Sequence, residues 1–512
     1  KNYCNRKKNY CNRKKNYCNR RKNYYNRKKK NYNQKEKNRT PNTRLLQWLG
    51  LGFFLRKNAV NSNLICMFVM FSLETQATDS KRGNVVRQLT KTERNKMKIK
   101  TLVLFIVSIQ LAFSQSKTEY LKNNRFDLLN SNFEFPQSNF KIIGFGAYHG
   151  SQETEKAENI LLENLINKNK VKYYLPETDL GIAYYFNQYL KSGDTILLKD
   201  LVRHYGVRVP QEKSIETYNK WKGIKKINDN QPENNKIQVV GIDIIVTYKY
   251  TSKLLIELLK IEKGKYKSYD NLYEMVKIDT TDFSPYYDSY SKNILKNFIV
   301  DYENDKTYFN SIANNKIITD NLIENIKLTL KKQDREKTIF DNYLFLSQLY
   351  DFKSSPQFVR MGFFHIEKDR ENNYPSFFTR LIENNIYKKE EIVSIAGFLT
   401  KSRVLWDLKY DANKKYIGYT TEGGYGIGDY WKEYFKGINK LKNNRLSNLT
   451  LYHLNNENSP YKKNQTDLME IKLFLKKSNK NDLKGKTTTD YFDYAILISN
   501  SQANKPIEEL DK

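Results

Sequence analysis

An α/β fold is predicted: a central, mostly parallel sheet flanked by helices, with a helical insertion at about 250–350. Short apolar runs alternate with amphipathic stretches between about residues 140 and 245, and the same rhythm returns between 357 and 499. Between these two parts lie long Tyr-, Lys- and Asn-rich amphipathic stretches with no strand signal. Alternation of this kind builds a parallel sheet with helices on both faces. The elements follow in order. FKIIGF (140–145) is an apolar run, then 152–168 places Ala157, Ile160, Leu161, Leu165 and Ile166 on one helical face. KYYL (172–175) is a strand running into Pro176 and Glu177, and helices are expected at about 180–191 and 211–228. IQVVGID (237–243) reads as a buried strand. After the insertion come a strand QFVRM (357–361), a helix near 375–386, a strand IVSIAG (392–397), an alternating strand around LTLYHL, and a closing strand at 491–499.

The chain has 512 residues and a formal charge of +33, and both are unevenly spread. Residues 1–96 carry 26 Lys and Arg against four acids, whereas the region from Gln115 carries 61 against 52. The main body is only mildly basic, so nucleic acid is not the expected partner. All four cysteines lie within the first 66 residues. That leaves the main body without a disulfide framework or a cysteine-based zinc site.

The first residues repeat a seven-residue unit, KNYCNRK, that offers no apolar seam for a coiled coil. Residues 1–96 are read as a disordered basic leader, a translated upstream repeat rather than part of the fold. At Met97 begins MKIKTLVLFIVSIQLAFSQ, with two lysines, an apolar run from Leu102 to Phe113, and Ala112 and Ser114 before Gln115. This has the form of a secretory signal peptide over 97–114, its apolar run too short to span a bilayer. The expectation is a secreted or periplasmic protein, 115–512, with no stable membrane span after cleavage.

Only four histidines exist, and two share one local pattern, a strand followed by Gly-x-x-His. Gly146 to His149 follows FKIIGF, and Gly362 to His365 follows QFVRM. Strand C-termini of a parallel sheet line the crevice where ligands bind, so His149 and His365 are expected to face one site. Glu153 opens the next helix within about one turn of His149, Glu177 ends the strand expected beside it, and Asp243 ends the third. A histidine acting as a base needs a partner on its other nitrogen, and Glu177 or Glu153 can serve. His204 sits near a helix C-terminus, where its charge suits the dipole. His453 is assigned no role. Gly423, Gly424, Gly426 and Gly428 do not fit a nucleotide-binding spacing and read as a loop.

From 142 to 245 the order of motifs resembles the erythromycin esterase superfamily. His149-Gly150 with Glu153, Glu177, the Asn187-x-Tyr189 pair with Gly193, and Gly241 with Asp243 match its pattern, and GFFHIE and the closing Phe492-Asp493 strand extend it. Two positions depart: Gly146 stands where the family has a glutamate, and Gly362 where drug-inactivating members have the first of two histidines. The resemblance implies hydrolysis of a small-molecule ester without a cofactor. His149 would be the general base, oriented by Glu177 with Glu153 nearby, His365 would polarise the carbonyl, and Asp243 would contact substrate. The paired Gly-x-x-His segments are also similar to those of the TraB/Tiki proteins. There the same residues would ligate a divalent metal for a hydrolase or protease. A third possibility is a non-catalytic binding protein with a decayed site. No Gly-x-Ser-x-Gly elbow is present, and the sequence does not fix an oligomeric state.

Overall fold

The computed structural model describes residues 116–512 except 279–282, 286–287, 332–333, 372, 414, 424–427 and 464. All of these belong to one of two units into which the chain divides, residues 100–512. The repeat leader, the signal peptide and its cleavage point at Gln115, and Gly424 and Gly426 lie outside the described residues.

Thirteen strands follow in chain order: β1 (Arg125–Asp127), β2 (Ile142–Ala147), β3 (Tyr173–Pro176), β4 (Gln238–Val239), β5 (Gln357–Met361), β6 (Ile392–Thr400), β7 (Val404–Tyr410), β8 (Tyr416–Glu422), β9 (Asp429–Tyr430), β10 (Glu433–Phe435), β11 (Leu449–His453), β12 (Ile471–Leu473) and β13 (Tyr494–Ser499). Eight of them form one sheet in the order β1-β11-β13-β6-β2-β5-β3-β4. From β13 to β4 every pairing is parallel, whereas β11 and β1 add an antiparallel edge. The predicted α/β class is therefore what the chain adopts.

The central strands β2, β5, β6 and β13 are buried along their whole length, as expected where helices cover both faces. Helix Gln152–Asn169 turns Ala157, Leu161, Leu165 and Ile166 into the core. Helix Leu180–Ser192 brings Phe186 flat against Trp221 of helix Ile215–Asp229, ring centroids 3.6 Å apart. From 248 to 346 the described residues contain helices and no strands.

Several elements differ from expectation. Helix Thr195–Tyr205, of which only the end near His204 was expected, fills the stretch after Gly193. The strand expected over 237–243 shrinks to Gln238–Val239. The backbone at Gly241 presses against Asp179, where a Cβ would lie 2.0 Å from the carbonyl oxygen, so the chain leaves the sheet there. The free side of β4 is closed by Asn187, whose side-chain amide accepts from Val239 N (2.9 Å) and donates to Val239 O (2.8 Å). An edge strand needs such cover. β11 does not alternate, because Leu449 to Tyr452 are all buried. The closing strand begins at Tyr494, preceded by a short helix Thr488–Tyr491.

Candidate active site

β2 and β5 are direct neighbours and parallel, so the two Gly-x-x-His segments leave adjacent strands at the same edge of the sheet. β3 lies on the far side of β5. Glu177 is thus not on the strand next to β2, as expected from sequence; the strand carrying His365 separates them. Side chains still close the gap. One Glu177 oxygen lies 3.3 Å from His149 Nε2, and the other 3.9 Å from His365 Nε2.

Glu177 is buried and fully engaged. It accepts from Gly362 N at 2.8 Å and from the Arg335 guanidinium at 2.7 Å. Burial alone would raise its pKa, but the hydrogen bond from His149 and the charges of Arg335, His149 and His365 hold it well below the carboxylate range. Asp243, wholly buried, receives Arg335 Nε at 3.0 Å and a second guanidinium nitrogen at 2.5 Å. Arg208 lies 3.5 Å away and donates to the carbonyls of Ile244 and Ile245. Burial again opposes the charge of Asp243, and the two arginines outweigh it and lower its pKa. Arg335 opens helix Arg335–Leu346 of the helical segment, so that segment supplies the cation joining two strand-end carboxylates.

His149 meets a second acid that sequence reasoning missed. Its Nδ1 lies 2.5 Å from Glu212 Oε1. Glu212, in the turn Pro210–Glu212, also accepts from Thr217 Oγ1 at 2.9 Å and stands 3.8 Å from Lys220 Nζ. Burial lowers the pKa of His149, but its bonds to Glu177 and Glu212 prevail and push it up to about 9. Glu153, expected as a possible partner, instead lies 3.7 Å from Lys156. A strand-end residue and the first turn of the next helix are close in sequence, yet the helix aims Glu153 elsewhere. Behind Glu212 is a wholly buried cluster. Lys220 reaches Glu155 (2.7 Å) and Glu158 (3.1 Å), and Arg360 reaches Glu158 (3.2 Å). Burial, with Glu212 and Glu158 close by, raises Glu155 to about 7 against the opposing pull of Lys220 and Arg360.

His365 is buried, with Nδ1 2.6 Å from Glu336 Oε1. Glu336 is fixed in turn by Phe377 N at 3.0 Å. Each histidine therefore has an acid beside Nδ1 and Glu177 near Nε2, but only His149 is hydrogen-bonded through Nδ1; His365 Nδ1 is close to Glu336 without being aligned for a hydrogen bond. His204 stands apart, 3.2 Å from Thr247 Oγ1 and between the rings of Tyr250 and Phe283. His453 stacks on Tyr494 and lines a cavity of about 580 Å³ with Lys389, Lys462 and Asp493. That cavity opens where β6 and β13 begin, the edge opposite the site.

Gly146 and Gly362 differ in the room beside them. At Gly146 an added Cβ would meet Ile366 Cγ1 at 2.6 Å and Phe363 Cα at 2.9 Å. At Gly362 it would find only ordinary contacts, His365 Cδ2 at 3.5 Å and Glu177 Oε2 at 3.7 Å.

The donor set does not fit a metal. The guanidinium of Arg335 already bridges Glu177 and Asp243, and among the described residues no three His, Cys, Asp or Glu side chains are grouped to hold an ion. What the arrangement can do is hold two imidazoles, one strongly basic, on either side of an ionised carboxylate, with a half-exposed guanidinium beside them.

No protein-family model and no curated protein matches the sequence. Among solved structures, one from Bacillus cereus is similar with a TM-score of 0.52 at 14% identity, covering 76% of this chain and 98% of that one. A succinoglycan biosynthesis protein gives 0.49 at 14% identity, over 77% and 99% of the two chains. An erythromycin esterase variant in its open conformation gives 0.45 at 10% identity, over 72% and 92%. The Bacillus cereus likeness is one of fold.

Proposed function

We propose that this protein is a hydrolase that cleaves a small-molecule ester with water activated by His149. The observation that carries the reading is the clamp on His149. Glu212 accepts a hydrogen bond from Nδ1–H and leaves Nε2, at the looser 3.3 Å contact with Glu177, as the nitrogen that receives a proton. In the step envisaged, neutral His149 Nε2 takes a proton from water as the oxygen adds to the ester carbonyl. The oxyanion is met by His365 and Arg335, and collapse expels the alkoxide, which recovers the proton from His149. A placed base contributes on the order of 10²–10⁴ in rate, and an oxyanion donor about 10²–10³. Asp243 acts by holding Arg335 rather than by touching substrate.

The reading includes export: the signal-peptide form of 97–114 is its support, and N-terminal sequencing of secreted product should begin QSKTEY. A panel of esters and peptides, assayed with and without chelator, tests the activity. Ester cleavage unaffected by chelation is expected. Activity lost on chelation and restored by a divalent metal would favour the metal-dependent reading, and no turnover on any member would favour a binding protein.

A further inference from the structure

The small sheet β12-β10-β9 carries a feature the site does not use. Its base is packed onto the edge where the site lies: Phe435 stands 5.0 Å from Phe398 and 5.8 Å from Phe363, ring to ring, and Gly428 N donates to Leu399 O at 2.7 Å. Its outer end is apolar and uncovered. Trp431 is 62% exposed, Phe474 55% and Leu475 88%. The two rings meet edge to face at 5.4 Å, and Phe474 N donates to Lys432 O at 2.8 Å, so the three side chains form one tip on a tied turn. Leu475 has a φ of 56°, a left-handed conformation that leucine seldom adopts. An exposed leucine held in that conformation carries two unfavourable features.

The surroundings of the tip are basic. Lys476, together with Glu433, lines the hollow beside Trp431 and Phe474, the Lys432 ammonium lies 4.7 Å from the Trp431 ring, and in the residues that follow, Lys477, Lys480 and Lys484 are exposed with Asp482 as the one acid. We propose that this tip is a peripheral membrane-binding element. Trp431, Phe474 and Leu475 enter the interface of an anionic bilayer while the lysines meet its headgroups. Tryptophan favours the headgroup level, and an apolar face bordered by lysines is the pattern of interfacial binding. Single-stranded nucleic acid would also take aromatics and lysines, but by stacking bases on rings. Leu475, the most exposed of the three, has no ring to offer.

The test uses the full chain with vesicles of phosphatidylcholine plus phosphatidylglycerol, part of it acyl-brominated, and with phosphatidylcholine alone. Residues 1–96 are strongly basic and would themselves adsorb to anionic vesicles, so the tip is read through Trp431. Brominated chains should quench tryptophan fluorescence in anionic vesicles only, and Trp431→Phe should remove about half or more of that quenching. Phe474→Ser with Leu475→Ser, which alters only exposed side chains, should remove about half or more of the Trp431-dependent quenching with melting unchanged. Quenching in Trp431→Phe that is undiminished from the parent's overturns the proposal. So does Trp431-dependent quenching in the double variant equal to the parent's, or single-stranded RNA, but not vesicles, changing Trp431 emission.

Discussion

Glu212 Oε1 lies 2.5 Å from His149 Nδ1 across 63 residues of sequence, so one imidazole nitrogen is held by Glu212 while the other faces Glu177 at 3.3 Å. The carboxylate is itself held by Thr217 and Lys220, so it does not depend on the histidine for its place.

Replacing His149 by Asn should therefore remove the base without releasing Glu212. Hydrolysis of whichever ester the panel identifies should fall by about 10²-fold or more, with thermal melting close to that of the parent. Activity within about threefold of the parent would exclude His149 as the base.

The raised pKa of His149 gives a pH dependence with a definite sign. The folded value, about 9, exceeds the ordinary 6.5. Its contribution to stability is then complete below pH 6.5 and lost as pH rises through 9. Catalysis runs the other way, since only the neutral ring accepts a proton, and kcat/KM should climb toward pH 9. Denaturation midpoints across that range, with histidine proton NMR, measure both. A histidine titrating at 6.5 in place of 9 would contradict the clamp.

Arg335→Met should leave Glu177 and Asp243 as buried carboxylates short of their shared cation, at a cost of about 3–5 kcal/mol. Urea unfolding would show it, and Arg335→Lys should recover part of the loss because one ammonium cannot bond both acids as a fork does. A loss below about 0.5 kcal/mol would mean that other cations satisfy the pair.

Gly241→Ala should be among the most damaging of single methyl additions. Its Cβ would stand 2.0 Å from the Asp179 carbonyl oxygen and 2.2 Å from the carbonyl carbon, both backbone atoms that cannot step aside. A loss of roughly 2 kcal/mol or more is expected; unchanged melting would show that the turn after β4 moves freely.

Much of the fold was legible because it is written in local patterns. The apolar runs at 142–147 and 357–361 and their repeated Gly-x-x-His ends are visible without any knowledge of pairing. Strand order is not local. Nothing in KYYLPE indicates that the strand 185 residues later inserts between it and β2, as the Gly362–Glu177 hydrogen bond records. Arg335 and Glu336 were hidden for a different reason. Both sit in KKQDREK, a charge run that reads as a solvated face, and only the docking of that helix buries them against Asp243 and His365. Glu212 gave no signal beyond its place two residues before the helix-capping Ser214. Asn187, matched to a family motif, proved to close the edge of β4, a task that sequence shows only as an amide on a helix.

The contrast between Gly146 and Gly362 bears on how this site can change over generations. At Gly146 the first atom of any side chain collides with Ile366 and with the backbone of Phe363, so a carboxylate fits there only after its neighbours have shifted. At Gly362 the backbone is extended, with φ −60° and ψ 158°, and a Cβ finds only ordinary contacts beside Glu177 and His365. A new imidazole, hydroxyl or amide at that position is one substitution away and leaves the acids beside both histidines in place. Of these two positions, residue 362 is thus the one where side-chain chemistry beside the paired histidines can change without any neighbour moving first, and variation should be accepted there before it is accepted at 146.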